Sequence, residues 1–373
     1  MSFDRIIGQE HVKTQIEAWL SGERMPHAIL VSGPEGVGKR HLAVELAKAV
    51  NCPRGSDPCD RCSSCHKIDA LTHPDFHTLL PLPTGLAKIE SGQELAVLRE
   101  ATLTYLQKGE QVSRNSNIAR GHIDIIRREM AYAPTEAPRR VAVAFDADCI
   151  HRAGANSLLK ILEEPPGQAV FILVSAHPDR LLPTVLSRTQ RLHLKPLTRE
   201  EISRQILKEG VAAPRAELVA RMSGGSLHRA RELAEDPEGL FEERRSLVER
   251  FIEAGFNGED GEYWPVADEF GGRSERGRLE VFLRLCGVYL RDLFLLAEQR
   301  PHDLTNTDRA EKTAAWLAKI RPETIESAAL EIDIAFDHLS RNVDSKLILA
   351  GLWNRLRHCR RLPTTSPSPR SSP

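Results

Sequence analysis

Residues 28–40 read AILVSGPEGVGKR, and their order decides the fold. AILVS is a short apolar run with the length of a buried strand. Beyond the glycines, Leu42, Leu46 and Val50 recur at four-residue spacing, as do Val12, Ile16 and Leu20 upstream, and each set describes one buried face of a helix. Strand, glycine turn and helix in that order begin an α/β unit with a parallel sheet. GPEGVGKR at 33–40 fits G-x-x-x-x-G-K-[ST] at every position but the last. Gly33, Gly36 and Gly38 let backbone N–H groups turn toward phosphate oxygens, and the helix N-terminus adds its positive end. Lys39 can reach terminal phosphates. The eighth position normally offers a hydroxyl to Mg²⁺, but here it is Arg40, whose guanidinium has no lone pair to ligate a cation. A chance glycine turn is the plain alternative, and the flanking strand and amphipathic helix argue against it.

VAVAF at 141–145 and VFILVS at 170–175 supply two more buried strands. The helix between them, around Asn156 to Glu163, is stopped by Pro165 and Pro166. A nucleotide-hydrolysing site also needs a carboxylate to orient Mg²⁺ and another group to position water. After VAVAF come Asp146, Ala147 and Asp148. Asp146 fills the metal position, and the adjacent position is alanine. In an extended segment Asp148 would still share the face of Asp146. Arg40 and Ala147 together predict that this chain does not hydrolyse ATP.

Four of the seven cysteines, Cys52, Cys59, Cys62 and Cys65, fall within 14 positions with spacing C-x6-C-x2-C-x2-C. Two-residue gaps let thiolates converge on one tetrahedral Zn²⁺, with Pro53, Gly55, Asp57 and Pro58 supplying turns. Four thiolates leave no open position, so such a metal is structural. An iron–sulfur cluster and plain buried cysteines are the alternatives. Cys149, Cys286 and Cys359 lie singly in apolar surroundings and read as core residues.

The 373 residues suggest two or three domains. With 51 basic and 52 acidic side chains, bulk attraction to nucleic acid is not indicated, and 5% aromatics argue against a base-stacking platform. No secretory signal opens the chain and no stretch approaches the roughly 20 apolar residues of a membrane span, so a cytoplasmic protein is expected. Residues 82–118 interrupt the α/β pattern with Pro, Gly, Gln and Ser and read as an insertion to which no chemistry is assigned. From Thr198 onward helical patterns dominate, at 198–209, 215–234, 238–254, 277–298 and 325–360. The end, PTTSPSPRSSP, is expected to be disordered.

ANSLLKILEEPP at 155–166 and FILVSAHPDRLLPTVLSRTQ at 171–190 resemble the clamp-loader subunits of bacterial DNA polymerase III. IIGQE at 6–10, MPHAILVSGPEGVGK at 25–39, the four-cysteine insert, HPD at 73–75, LKPLTREE at 194–201 and RNVDSKLILAGLW at 341–353 resemble them as well. The resemblance implies an AAA+ (RecA-like) α/β domain at 1–193, a helical lid at 194–237, an all-α collar domain at 238–361 and a tail at 362–373. Within that family the gamma/tau subunits carry a complete phosphate-loop hydroxyl and an Asp-Glu pair. Arg40 and Ala147 instead resemble the delta-prime type, whose nucleotide machinery is commonly degraded.

The resemblance further implies gamma/tau and delta partners in a five-subunit ring that loads the sliding clamp onto primed DNA. Ser187-Arg188 matches the family's S-R-C motif, with Thr189 in place of cysteine, which implies that Arg188 is a trans arginine finger for the neighbour's ATP. Ser175 falls at the sensor-1 position. In GGSLHRA at 224–230 the family's sensor-2 arginine aligns with His228, and Arg229 is one position off, about 100° around a helix. ATP or ADP in the degenerate loop stays open. The competing readings are an active gamma-type ATPase, which predicts turnover by the chain alone, and a zinc-dependent DNA-binding module. The latter predicts a basic knuckle, but Arg54, Arg61 and Lys67 are offset by Asp57 and Asp60.

Overall fold

The computed structural model of the protein describes residues 3–22, 25–55, 58–83, 94–108, 116–165, 167–235, 238–270 and 275–360. The tail expected at 362–373, and residues 84–93 and 109–115 of the insertion, lie outside them. The chain divides into two compact units, Met1–Gln205 with Gly224–Arg229, and Ile206–Ser223 with Ala230–Pro373. The segment 194–237, expected as a lid, contributes residues to both.

In the first unit the strands are β1 (Ala28–Ser32), β2 (Phe76–Leu79), β3 (Leu82–Pro83), β4 (Ser116–Asn117), β5 (Arg140–Ala144), β6 (Ala169–Ser175) and β7 (Gln190–His193). Its helices are α1 (Glu10–Ser21), α2 (Lys39–Asn51), α3 (Ser63–Asp69), α4 (Glu94–Lys108), α5 (Arg120–Met130), α6 (Arg152–Glu163), α7 (Pro183–Leu186) and most of α8 (Arg199–Lys208). Five strands form one sheet in the order β2-β5-β6-β1-β7, every neighbouring pair parallel. The α/β architecture with a parallel sheet expected for this region is what forms.

Both faces of the sheet are covered, which explains the uninterrupted apolar runs. Ile29, Val31, Val141, Val143, Val170 and Ile172 enter one core with Leu42 and Leu46 of α2. Leu30, Ala142, Ala144, Phe171 and Leu173 enter the other, with Ile123, Ile126, Leu158 and Ile161 of α5 and α6. β2 and β7 escaped the sequence reading because FHTL and QRLH contain no apolar run. In β7 only Leu192 is buried.

The ends of the 82–118 insertion are joined by β3 pairing antiparallel with β4. Its helix α4 buries Leu98 and Tyr105 in the core that holds Val141 and Phe145. The insertion is therefore attached to the sheet, and it brings a side chain to the phosphate-loop end of the strands.

The second unit is helical, with α9 (Ala213–Met222), most of α10 (Leu227–Glu235), α11 (Glu238–Asn257), α12 (Tyr263–Asp268), α13 (Arg276–Ala297), α14 (Ala310–Lys319), α15 (Ile325–Ser340) and α16 (Ser345–Cys359). The long pattern at 325–360 is two helices: Asn342 turns the chain at φ 63° and the Asp344 side chain caps α16 by accepting from the Lys346 amide at 2.9 Å. The sequence reading missed α14, whose Trp316 is buried edge-on to Phe256. Phe251, Phe282, Leu283, Leu352 and Trp353 centre this core.

Candidate functional site

The phosphate loop leaves the C-terminal end of β1, and Gly38 caps α2, which begins at Lys39. Gly36 has φ 74°, and a Cβ there would lie 1.9 Å from Ser226 Oγ. Only glycine permits that approach. The His228 amide also donates to the Gly36 carbonyl at 3.4 Å, so 224–229 rests on the loop through main chain.

The loop's two cationic groups are committed internally. Lys39 is buried and its ammonium donates to the Pro34 carbonyl of its own loop at 2.6 Å. Burial lowers its pKa to about 8, against the opposing pull of Asp146. Arg40 reaches across to Asp146 at 3.1 Å. Its guanidinium stacks 4.0 Å above the Tyr105 ring, and the Tyr105 hydroxyl donates to the same Asp146 oxygen. Burial, and then the Asp146 charge, push the Tyr105 phenol upward, so it remains a donor. The carboxylate expected to orient Mg²⁺ thus has an arginine and a phenol as partners. Sequence reasoning missed Tyr105; Leu98, Thr102 and Tyr105, all buried on one face of α4, were the available signal.

Asp146 adopts a left-handed conformation and Ala147–Cys149 is a 3-10 turn. The segment is therefore not extended, which corrects the premise that Asp148 shares the face of Asp146. Asp148 instead accepts from Ser175 Oγ at 2.5 Å, and that oxygen accepts from the His177 amide at 3.0 Å. The structure joins the buried Ser175 to the half-buried Asp148. Ala147 is fully buried.

Arg188 lies elsewhere. It precedes β7, and Gln190 stands in register with Ile29 near the start of β1. The loop begins at Gly33, four residues farther along that strand, which is at least about 13 Å. Arg188 is thus out of reach of this chain's own phosphate loop. Its guanidinium is exposed, pairing with Glu163 at 2.8 Å and donating to the Thr184 carbonyl at 3.1 Å. Exposed pairs of this kind are weak and exchangeable.

The sulfur atoms of Cys52, Cys59, Cys62 and Cys65 lie within 4.8 Å of one another and could hold a metal ion. Cys52 follows α2 and Cys62 caps α3, its sulfur accepting from the Cys65 amide at 3.4 Å. Burial pushes the Cys52 and Cys65 thiols up, whereas the Arg61 amide draws Cys59, at the rim, down to about 6. An all-sulfur donor set of this kind suits a soft or borderline cation. The fully buried Lys48 ties α2 to this knuckle through Asp60 at 2.5 Å and Asp69 at 3.1 Å.

The HPD sequence at 73–75 builds another buried polar cluster. Asp75 accepts from the amides of Thr135, Glu136 and Ala137 at 2.7, 2.7 and 2.9 Å, and Arg140 stands 3.7 Å away. Burial alone would raise its pKa; the three amides and Arg140 outweigh it and hold Asp75 below the usual carboxylate range. No helix among the described residues is long and apolar enough to cross a membrane.

A family model described as DNA polymerase III, delta subunit, matches residues 8–198, just over half of the 373 residues. The DNA polymerase III subunit delta' of Bacillus subtilis is 30% identical over 62% of this chain and 60% of its own length. The tau subunit of Escherichia coli is 34% identical over 63% of this chain and 32% of its own length. The chain thus spans less than two thirds of either relative. A DNA polymerase III gamma subunit-related protein of Thermotoga maritima superposes at TM-score 0.45 with 17% identity, covering 94% of this chain and 99% of that one. On the strength of the family match, this chain belongs to the DNA polymerase III delta-subunit family of clamp-loader proteins.

Proposed function

We propose that this chain is the delta-prime type of clamp-loader subunit: a cytoplasmic, largely non-hydrolysing scaffold that lends Arg188 to the ATP site of a neighbouring subunit. The observation that carries this reading is the opposition of the two ends of β1. At one end Arg40 and Tyr105 occupy Asp146, and Lys39 is turned onto its own loop. At the other end Arg188 is exposed and beyond reach of that loop.

A guanidinium beside Asp146 supplies positive charge but no coordination site for water, and Ala147 supplies no base. The loop then acts as a structural element that holds α2 and 224–229 in place. In the assembled ring, with gamma/tau and delta subunits, Arg188 leaves Glu163 and stabilises charge on the phosphoryl group transferred next door, a contribution of about 10³–10⁵ in rate in comparable systems. That hydrolysis drives loading of the sliding clamp on primer-template DNA. The four cysteines hold one structural Zn²⁺, residues 194–237 form the lid, and the helices from 238 onward supply the collar of the ring.

The test is reconstitution with Arg188→Ala and measurement of clamp- and DNA-stimulated ATPase. Turnover should fall at least about a thousandfold per site served by this arginine. Unchanged turnover overturns the trans role. Strong turnover by the isolated wild-type chain favours a gamma/tau-type subunit instead. Metal analysis should give one zinc per chain, lost in Cys65→Ser.

A further inference from the structure

The N-terminal ends of the strands hold a second guanidinium beside that of Arg188. A cleft of about 660 Å³ opens there, lined by Trp19, Pro26, His27, Arg139, Arg188 and Gln190 among others. Its volume is in the range of sites that take a small ligand. No carboxylate is among the described residues that line it.

Arg139 and Arg140 are neighbours with opposite fates. Arg140 is buried and fully engaged: it donates to the Glu129 carbonyl at 2.8 Å and to the Ala133 carbonyl at 3.1 and 3.2 Å, with Asp75 behind it. Arg139 is half-buried, and among the described residues its side chain has no hydrogen bond or ion pair. Its stem is nonetheless anchored, because its amide donates to Asn51 Oδ1 at 3.3 Å and the next residue begins β5. Two arginines that line one cleft with no carboxylate among its described lining residues repel each other, and Arg139 has no ion pair among the described residues to offset this.

A phosphate chain relieves that repulsion, since its oxygens accept from both guanidinium forks. It cannot come from this chain's own loop, which lies at the other end of β1. We propose that Arg139 is a second phosphate-contacting residue in trans, gripping the nucleotide bound by the neighbouring subunit beside Arg188. The inference rests on the trans reading of Arg188. The two arginines divide the work by their mounting. Arg188, on an exposed and exchangeable pair, follows the charge that develops during transfer. Arg139, fixed at the start of β5, contacts the phosphates equally before and during transfer, which is uniform binding.

The experiment reconstitutes the complete ring with Arg139→Ala, Arg139→Lys, Arg188→Ala and the double variant, and measures stimulated ATPase over a range of ATP concentrations. Arg139→Ala should raise KM about tenfold and leave kcat within about twofold, and Arg139→Lys should recover part of the loss. Arg188→Ala should lower kcat. If Arg188→Ala acts and Arg139→Ala leaves KM unchanged, the second contact is wrong and the trans reading stands. If neither acts, the trans reading itself fails. Loss of ring assembly in both Arg139 variants makes the residue structural and overturns the inference. A KM effect that is confined to DNA-containing reactions and vanishes with salt assigns Arg139 to DNA phosphates, and also overturns it.

Discussion

At the C-terminal end of β1, Lys39 is closed onto Pro34 and Arg40 onto Asp146 and Tyr105. At the N-terminal end, Arg188 sits on an exposed pair with Glu163, and Arg139 has no side-chain partner among the described residues. The same cationic side chains are neutralised inside the fold at one end and presented outward at the other. A charge held by part-buried or stacked partners contributes to structure; one on an exposed pair, or with no pair, is available to another molecule. The loop that most resembles an enzyme's is on this count the quieter end.

The widest expected gap comes from mutating both ends in the reconstituted complex. Arg188→Ala should lower stimulated turnover by about 10³ or more, whereas Lys39→Ala should change it less than about twofold. Comparable losses would erase the contrast.

Next in size is a charge satisfied inside the fold. Asp75→Ala leaves three amides without their acceptor and Arg140 without its counter-charge, and should cost about 3 kcal/mol in urea unfolding of the α/β unit. The sign with pH follows from its depressed pKa. The unfolded chain takes up the proton first, near pH ~3.9, so the contribution is present above that value and is lost as pH falls through the lower folded pKa. His77 acts over a higher window: burial, then Arg140, lower its pKa to about 4, so the unfolded chain binds the proton from about pH 6.5 downward and stability declines between those values. A His77→Phe variant should flatten that slope in unfolding midpoints measured from pH 7 to 4.

Arg40→Thr probes the closed end from the other side. It should cost about 1–2 kcal/mol by removing a half-exposed pair together with the stack on Tyr105, and it frees Asp146 for a cation. Mg²⁺-dependent binding of a fluorescent ATP analogue should then rise, with no turnover while Ala147 remains. Turnover in that variant would mean that Asp148 acts as the base. The smallest effect is expected for Tyr105→Phe, about 1 kcal/mol for one hydrogen bond to Asp146.

The sheet was legible wherever a strand is buried on both faces, because an apolar run such as VFILVS admits few other readings. β7, with only Leu192 buried, and β2, with buried His77 and Thr78, depend on pairing partners that no local pattern reports. The same limit governs the site. GPEGVGKR and the cysteine spacing are local, so their residue types could be read directly. Tyr105 was hidden because its partner Asp146 is 41 residues away, and it stood in a segment read as an insertion without chemistry. Asp148 was misjudged because the turn at 147–149 depends on the left-handed Asp146, not on composition.

By itself the sequence determined which groups are present: a phosphate loop without its hydroxyl, an acidic position without its neighbour, four clustered thiols and a Ser-Arg pair. Only the tertiary structure decided which of these charges meet. A parallel sheet sends every loop that follows a strand to one end and every loop that precedes one to the other. That separation brings Arg40, Asp146 and Tyr105 together and places Arg188 with Arg139 in a cleft at the opposite end.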